Sequence, residues 1–517
     1  FPYTTLFRSI TLNYYKEYKD QFNHFLFMGL YDDKRAVFES ILSDYNPILN
    51  SVVIIILVFI LIKIFQFYEN SNKIFTFLNK FKFEYKNNVF KILFLILFIV
   101  SIRGSYTEYP VRRFYAAVTA DNFINKTITN PFVAIKNAIL DYNEINKSYN
   151  KNPFGEIPLS IKNNFSSINN FLKKETSTNT FLIEKPNQIF LVIMESYDSW
   201  PLMNAYKNLK LSTELLKIEN KAVSFKNFTP ASSTTMNSFG TIITSVPYCG
   251  INISKIGALR TFPTSIFKQF KKLGYKTNFF YGGYLSWQNI DNFVRKQGAE
   301  NVYGAANSRA EKGIWGINDE ALYEMVLNKV DASKKSFNII LTMSYHAPYE
   351  VEIYKEGFMY KKKSDLPLEF QNKYNEEQTP IKSLGHLWYA DKTLGKFVET
   401  AEKKYSSSIF SFTGDHFGRK FINNKPTLYE SSTVPFIIYG RNIKNDLIKT
   451  NTAGSHKDIG ATLFDLVSPK NQPYFSFGNS LINSNKNIGF SFNKVITKNQ
   501  LKEFTKNYGT KTYNINN

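Results

Sequence analysis

Apolar positions along the chain fall into three regimes. Two continuous apolar stretches come first, Ser51–Phe67 and Val89–Ile102. Both are apolar all round rather than along one face, which suits a helix surrounded by lipid better than a pair of surface helices. A spanning helix needs roughly 20 mostly apolar residues. The pattern therefore predicts two transmembrane helices over 49–103. The loop between them, N-K-I-F-T-F-L-N-K-F-K-F-E-Y-K, is rich in Lys and is placed in the cytoplasm by the positive-inside tendency. Everything after about residue 104 then lies outside the cytoplasmic membrane. Residues 1–48 read as an external loop or a truncated N-terminal region. The chain starts on Phe1 rather than Met, so its first ten residues carry no structural weight. Residues 104–185 mix Tyr, Arg and Phe with loop-forming stretches and read as a membrane-proximal linker.

From about 186 the pattern changes to short apolar runs alternating with longer amphipathic ones. Strands are expected at 189–195, 223–228, 276–281, 337–343, 408–413 and 434–439. Helices are expected near 236–245, 263–273, 318–330, 383–403 and 456–467. Such alternation predicts an α/β domain over 186–490, a mostly parallel sheet with helices on both faces. Residues 491–517 read as a C-terminal tail.

At 517 residues the chain can bury a large core. Its 64 Lys and Arg against 42 Asp and Glu give a net charge of +22, which favours anionic partners such as phospholipid headgroups or anionic glycans. No basic helix or nucleic-acid module occurs, so nucleic acid is not an expected partner. The single cysteine, Cys249, excludes an intramolecular disulfide framework and a Cys-rich zinc site.

Two apolar runs end on hard ligands. I-F-L-V-I-M (189–194) stops at Glu195, and S-I-F-S-F-T-G (408–414) stops at Asp415 and His416. In an open α/β sheet, sites gather outside the carboxyl ends of strands. A buried carboxylate without a partner is costly, and a divalent cation accepts carboxylate oxygen and imidazole nitrogen together. Between the two runs lies T-P-A-S-S-T-T-M-N-S-F-G (229–240), where hydroxyl residues crowd the start of an expected helix. A helix N-terminus favours anions, and a metal beside such a hydroxyl would make it a nucleophile. A simple Ser/Thr helix cap is the plain alternative there.

Together with L-T-M-S-Y-H-A-P-Y (341–349) and F-T-G-D-H-F-G (412–418), this order of motifs resembles the alkaline phosphatase superfamily. More narrowly it resembles the lipoteichoic acid synthase-like phosphoglycerol transferases of sulfatase fold, over about residues 50–490. The resemblance implies membrane spans followed by an external catalytic domain. It implies Glu195, Asp415 and His416 as metal ligands, and Thr235 as the nucleophile that also touches the metal. The distance from Thr235 to Val246-Pro247 favours it over Thr234. His346 is implied as the residue that contacts substrate or assists the leaving group. The implied metal is manganese, with magnesium or zinc as alternatives. Trp287 and His456 are weaker substrate candidates, and Asp319 matches a Gly-x-x-Asp turn.

There are departures from the family pattern. Tyr281 stands where lipid-modifying members carry a histidine, and Ile290 where they carry an arginine. Cys249, in P-Y-C-G-I, lacks the Pro and Arg of the formylglycine motif, which argues against sulfate-ester hydrolysis. The expected reaction is transfer of phosphoglycerol from a membrane phospholipid donor, phosphatidylglycerol, to a glycan or glycolipid acceptor. It would run through a phospho-threonine intermediate at the outer face of a bacterial cytoplasmic membrane. Phosphoethanolamine transfer, phosphodiester hydrolysis and an inactive membrane scaffold are the alternatives.

Overall fold

The computed structural model describes residues 168–504 with short interruptions, 510–514, and in the N-terminal part chiefly 34–45, 47–70 and 129–148. The chain forms two compact units. The first, of residues 1–30, 37–150 and 505–509, contains helices α1 (Pro47–Asn70) and α2 (Pro131–Ser148). Helix α1 covers the first predicted apolar stretch. Its Val52, Ile55, Ile56 and Phe59 stand exposed. Over the residues whose side chains are described, no unbroken helical stretch is long and apolar enough to cross a membrane. The second apolar stretch falls mostly outside the described residues.

The second unit, of residues 31–36, 151–504 and 510–517, is built on a seven-stranded sheet. Its strands are β1 (Gln188–Met194), β2 (Val223–Ser224), β4 (Lys276–Tyr281), β5 (Asn301–Tyr303), β6 (Ser336–Leu341), β7 (Ser408–Gly414) and β8 (Phe436–Tyr439). They lie in the order β2-β8-β7-β1-β6-β4-β5. All run parallel except β8, which is antiparallel to both of its neighbours. The expected mostly parallel sheet is thus present.

Both faces of the sheet are covered, so its central strands are buried at every position rather than at alternate ones. In β1, Ile189, Leu191 and Ile193 enter the core on one face, which packs α4 (Thr235–Thr244), α5 (Ile266–Lys272), α6 (Ile290–Gln297) and α9 (Ile459–Val467). Phe190, Val192 and Met194 enter the core on the other, beneath α3 (Thr213–Glu219), α7 (Asp319–Lys329) and α8 (Ile381–Lys404). Beyond the main sheet, β3 (Asn227–Thr229) pairs in parallel with β9 (Ala453–Ser455). Residues past 487 add an antiparallel sheet of β10 (Ile488–Phe490), β11 (Lys494–Thr497), β12 (Gln500–Phe504) and β13 (Thr510–Asn514).

Helix α8 carries a buried histidine with a measurable consequence. His386 Nε2 accepts from the Val351 amide at 3.0 Å, and its Nδ1–H donates to the Lys382 carbonyl at 2.8 Å. Burial pushes its pKa from 6.5 down to about 4. Between these values the unfolded chain takes up a proton that the native ring refuses. Stability is therefore full above pH 6.5 and falls as pH drops toward 4, by about 3 kcal/mol for this group. Other buried groups titrate in the same range, so the check is a comparison: between pH 7 and pH 4.5, denaturant titrations should show wild type losing about 2 to 3 kcal/mol more than a His386→Asn variant.

Candidate metal centre

The register of two parallel strands creates the site. Met194 of β1 pairs with Gly414 of β7, so the next residues of each strand, Glu195 and Asp415, emerge side by side at the carboxyl edge. The Asp415 amide donates to the Met194 carbonyl at 3.0 Å and continues the ladder one residue past the strands. Gly414 is required here: a Cβ at this position would stand 2.0 Å from the Tyr197 carbonyl oxygen. After Glu195 the chain turns sharply through Ser196, whose φ of 51° is left-handed. For a residue with a Cβ that is an uncommon conformation, of the kind concentrated at functional sites.

Glu195, Asp415 and His416 converge, with one ligand atom from each lying within 4.8 Å of the others, and all three are buried. His416 Nε2 stands 3.4 Å from Asp415 Oδ2 and 3.9 Å from Glu195 Oε1. Each ligand is held from behind. Asp415 Oδ1 accepts from the amides of Ser196 and His416, both at 2.7 Å. The Ser196 hydroxyl donates to Glu195 Oε1 at 2.7 Å, and the Glu195 amide donates to Thr342 Oγ1 at 3.0 Å. His416 Nδ1–H donates to the Phe417 carbonyl at 2.9 Å, which fixes the tautomer and leaves the Nε2 lone pair facing the carboxylates.

One atom in this cluster tests whether a metal fits. Asp415 Oδ2 is fully buried and accepts no hydrogen bond. A buried anionic oxygen in that condition is costly. It points into the space shared by Glu195 and His416, where a divalent cation would satisfy all three. Two carboxylates and one neutral imidazole form a donor set for such a cation.

Helix α4 brings the nucleophile candidate. Thr235 is its first residue, behind Thr234 in extended conformation as the cap. The Thr235 hydroxyl lies 3.3 Å from His416 Nε2. Thr234 Oγ1 instead accepts from Asn237 Nδ2 at 2.9 Å. The free amides of the first turn of α4 lie at the same corner, a setting that favours phosphoryl oxygens. Cys249 is exposed in the loop beyond α4 and is not at its N-terminus.

The other sequence candidates take different places. His346 is half-buried in the loop after β6, with its ring at 4.9 Å from Trp315 and its Nδ1 2.5 Å from the Ala347 carbonyl oxygen. Asp319 pins the turn leading into that loop. Its Oδ1 accepts from the Met343 and Ser344 amides, both at 2.9 Å, and burial raises its pKa. Trp287 is half-buried and tilted against Tyr281 at 6.0 Å. Ile290 is fully buried in the core. His456 is fully buried, and backbone groups take both ring nitrogens. Its Nδ1 accepts from the Ala231 amide at 3.2 Å, and its Nε2–H donates to the Gly414 carbonyl at 2.9 Å. Burial lowers its pKa to about 3, so it is neutral. His456 therefore ties the loop before Thr235 to the strand end before Asp415. Ser196 and Thr342 also hold the candidate ligand Glu195, through its carboxylate and its amide. No signal in the sequence separated them from other hydroxyl residues.

A sulfatase family model matches residues 187–469, more than half of the chain. The lipoteichoic acid synthase of Staphylococcus aureus (strain USA300) is 22% identical over 246 residues, 44% of this chain and 36% of that protein. Phosphoglycerol transferase I of Salmonella choleraesuis is 21% identical over 220 residues, 39% of this chain and 26% of that protein. The match thus spans about a third of the length of these curated relatives or less. Among solved structures, the lipoteichoic acid synthase LtaP of Listeria monocytogenes superposes with a TM-score of 0.54 at 20% identity, covering 66% of this chain and 89% of that one. A protein of the alkaline phosphatase superfamily from Vibrio parahaemolyticus gives 0.51 at 20% identity, covering 65% and 81%. The family match shows that the chain belongs to the sulfatase family, and its sequence and fold are similar to those of lipoteichoic acid synthases.

Proposed function

We propose that this sulfatase-family enzyme moves a phosphoglycerol group from a membrane phospholipid, phosphatidylglycerol, to a hydroxyl of a glycan or glycolipid. The observation that carries the reading is the Thr235 hydroxyl, 3.3 Å from His416 Nε2, beside the Glu195–Asp415–His416 cluster. The likeness to a phosphoglycerol transferase and a lipoteichoic acid synthase supports it. The exposed apolar side chains of α1 support anchoring in a bilayer, and the Lys-rich segment after it supports a catalytic unit on the outer side.

Glu195, Asp415, His416 and the Thr235 hydroxyl would hold one divalent cation, manganese in this reading. When bound, such an ion lowers the pKa of a coordinated hydroxyl and neutralises phosphoryl charge. In the first displacement Thr235 Oγ1 forms a bond to phosphorus, the bond from phosphorus to the diacylglycerol oxygen breaks, and the Thr235 proton is released. His346 protonates the departing oxygen. Its Nδ1–H is held by the Ala347 carbonyl, so the proton comes from Nε2 of the imidazolium. In the second displacement an acceptor hydroxyl attacks the phospho-threonine. Its proton reloads His346, and Thr235 leaves and is reprotonated. Trp287 contacts the headgroup in this reading. His456 acts by position, through its two backbone partners.

The direct test supplies labelled phosphatidylglycerol and manganese and follows diacylglycerol release. Competition with phosphatidylethanolamine separates the two headgroups: preferential use of the ethanolamine lipid would replace phosphoglycerol in the account. The role of His456 has its own prediction. His456→Ala should retain one bound metal per chain yet lose on the order of 10-fold in kcat, because the nucleophile loop loses its tie. His456→Gln, which can still donate to Gly414, should lose less. An unchanged kcat in the alanine variant, measured beside its metal content, removes the role.

A further inference from the structure

The antiparallel sheet past residue 487 is tied to the nucleophile loop and shows an apolar edge to solvent. Strands β10 and β11 are joined by a turn that the Ser491 amide closes onto the Lys494 carbonyl at 2.8 Å. The tip of this turn is bonded to the loop before Thr235. The Phe492 amide donates to the Ala231 carbonyl at 3.1 Å, and Ala231 is also the residue whose amide His456 holds. The Phe492 ring lies 5.2 Å from that of Tyr248, in the loop beyond α4.

Side chains alternate between the two faces of a strand. Inward, Ile496 and Leu501 pack with Ala453. Outward, the register sets Ile488 beside Thr497, Phe490 beside Val495, and Val495 beside Lys502. Ile488 is 47% exposed, Phe490 48% and Phe492, at the turn, 54%. Three such side chains within five residues form a patch, unlike the single exposed apolar residue that any surface tolerates. Lys502 shares the outward face, and Lys498 is exposed in the bend between β11 and β12. Among the described residues, no carboxylate belongs to this face.

We propose that this face docks on an anionic phospholipid bilayer, with Phe490 and Phe492 in the headgroup layer and Lys498 and Lys502 toward lipid phosphates. The inference rests on the membrane-donor reading above and gives the catalytic unit its own contact with the lipid, besides the anchoring by α1. Aromatic rings suit the membrane interface, and each lysine near an anionic surface adds attraction. A second protein fits less well. Three strands about 4.8 Å apart and about five residues long span an area on the order of 200 Å². Each partner in a stable complex buries about 800 Å². A bilayer contact needs no such area when an anchor already confines the chain to the membrane. The placement also serves the reaction: the donor phosphorus stays at headgroup depth, and Phe492 is bonded to the loop that leads to Thr235.

The test uses the whole chain, one copy per nanodisc, in lipid containing phosphatidylglycerol. A fluorophore on Cys249, the single cysteine, exposed next to Tyr248, reports contact with lipids that carry a nitroxide in the headgroup region. The unaltered chain should be quenched, and the pair Phe490→Ser with Phe492→Ser should lose about threefold or more of that quenching. Phe490→Leu with Phe492→Leu should keep most of it. The serine pair should also raise KM for phosphatidylglycerol in the disc about 10-fold, with little change on a water-soluble phosphodiester that lacks acyl chains. Equal quenching in the unaltered chain and the serine pair overturns the proposal. So does an unaltered chain that the nitroxide lipids do not quench, the result expected if another part of the chain or a second protein covers the face. An equal loss on the water-soluble phosphodiester overturns it as well, since Phe492 would then only steady the nucleophile loop. If the serine pair melts early, Lys502→Glu decides: quenching should fall in anionic discs and not in neutral ones, and an unchanged signal in anionic discs rejects the docking face. If the unaltered chain releases no diacylglycerol while its quenching still depends on Phe490 and Phe492, the transfer reading fails and the docking face stands.

Discussion

Thr235→Ala should abolish diacylglycerol release, by on the order of 10³-fold or more, while leaving the fold and the bound metal in place. The side chain is half-buried at the first position of α4, and its hydroxyl lies within hydrogen-bond distance of His416 Nε2. Removing two heavy atoms, Oγ1 and Cγ2, from a half-buried position opens no core cavity and breaks no backbone contact, so melting temperature should move little. Thr235→Ser keeps an oxygen at the same place and should retain a measurable fraction of the rate. The decisive readout is mass spectrometry of protein quenched during turnover. A phosphoglycerol adduct should sit on the peptide containing Thr235 and be absent from the alanine variant. Full activity in Thr235→Ala, or an adduct on Thr234, would move the nucleophile elsewhere.

A second large effect concerns stability rather than rate. Without a cation, the buried carboxylates of Glu195 and Asp415 face one another, and Asp415 Oδ2 accepts no hydrogen bond. A cation binding only the folded state at about 100 times its Kd adds about 2.7 kcal/mol. For a domain of this size that raises the melting temperature by about 5 °C. Asp415→Asn should cancel the rise. The metal-free variant should also melt no lower than metal-free wild type, because one of two facing charges is gone. Scanning calorimetry with and without manganese checks both statements. A manganese-dependent rise that survives in Asp415→Asn would place the cation at another site.

The strands that carry the ligands were legible because the sheet is covered on both faces. Such burial makes β1 and β7 runs without a charged residue, and a charged residue at the end of such a run stands out. Their register, which sets Glu195 beside Asp415, was not legible. It depends on which strands are neighbours, and β1 and β7 are separated by more than 200 residues. Short elements were missed for local reasons. Strand β5 has three residues, too few for a period to show. Helix α6 begins after Gln288 and Asn289, both in left-handed conformation, and two such residues give no start signal. The strands past 490 read as a tail because Lys494 occupies an inward position, which breaks the apolar alternation that marks a strand. His456 shows the converse: a lone histidine in the sequence suggests contact with substrate, whereas its burial and two backbone bonds give it the work of joining two loops.

The central claim is that Glu195, Asp415 and His416 share one cation beside Thr235. Diffraction from manganese-soaked crystals of the catalytic unit, collected at the manganese absorption edge, tests it most directly. The account predicts one strong anomalous peak bounded by those three side chains and the Thr235 hydroxyl. No peak at that corner of the sheet, with manganese bound elsewhere or not at all, would contradict it.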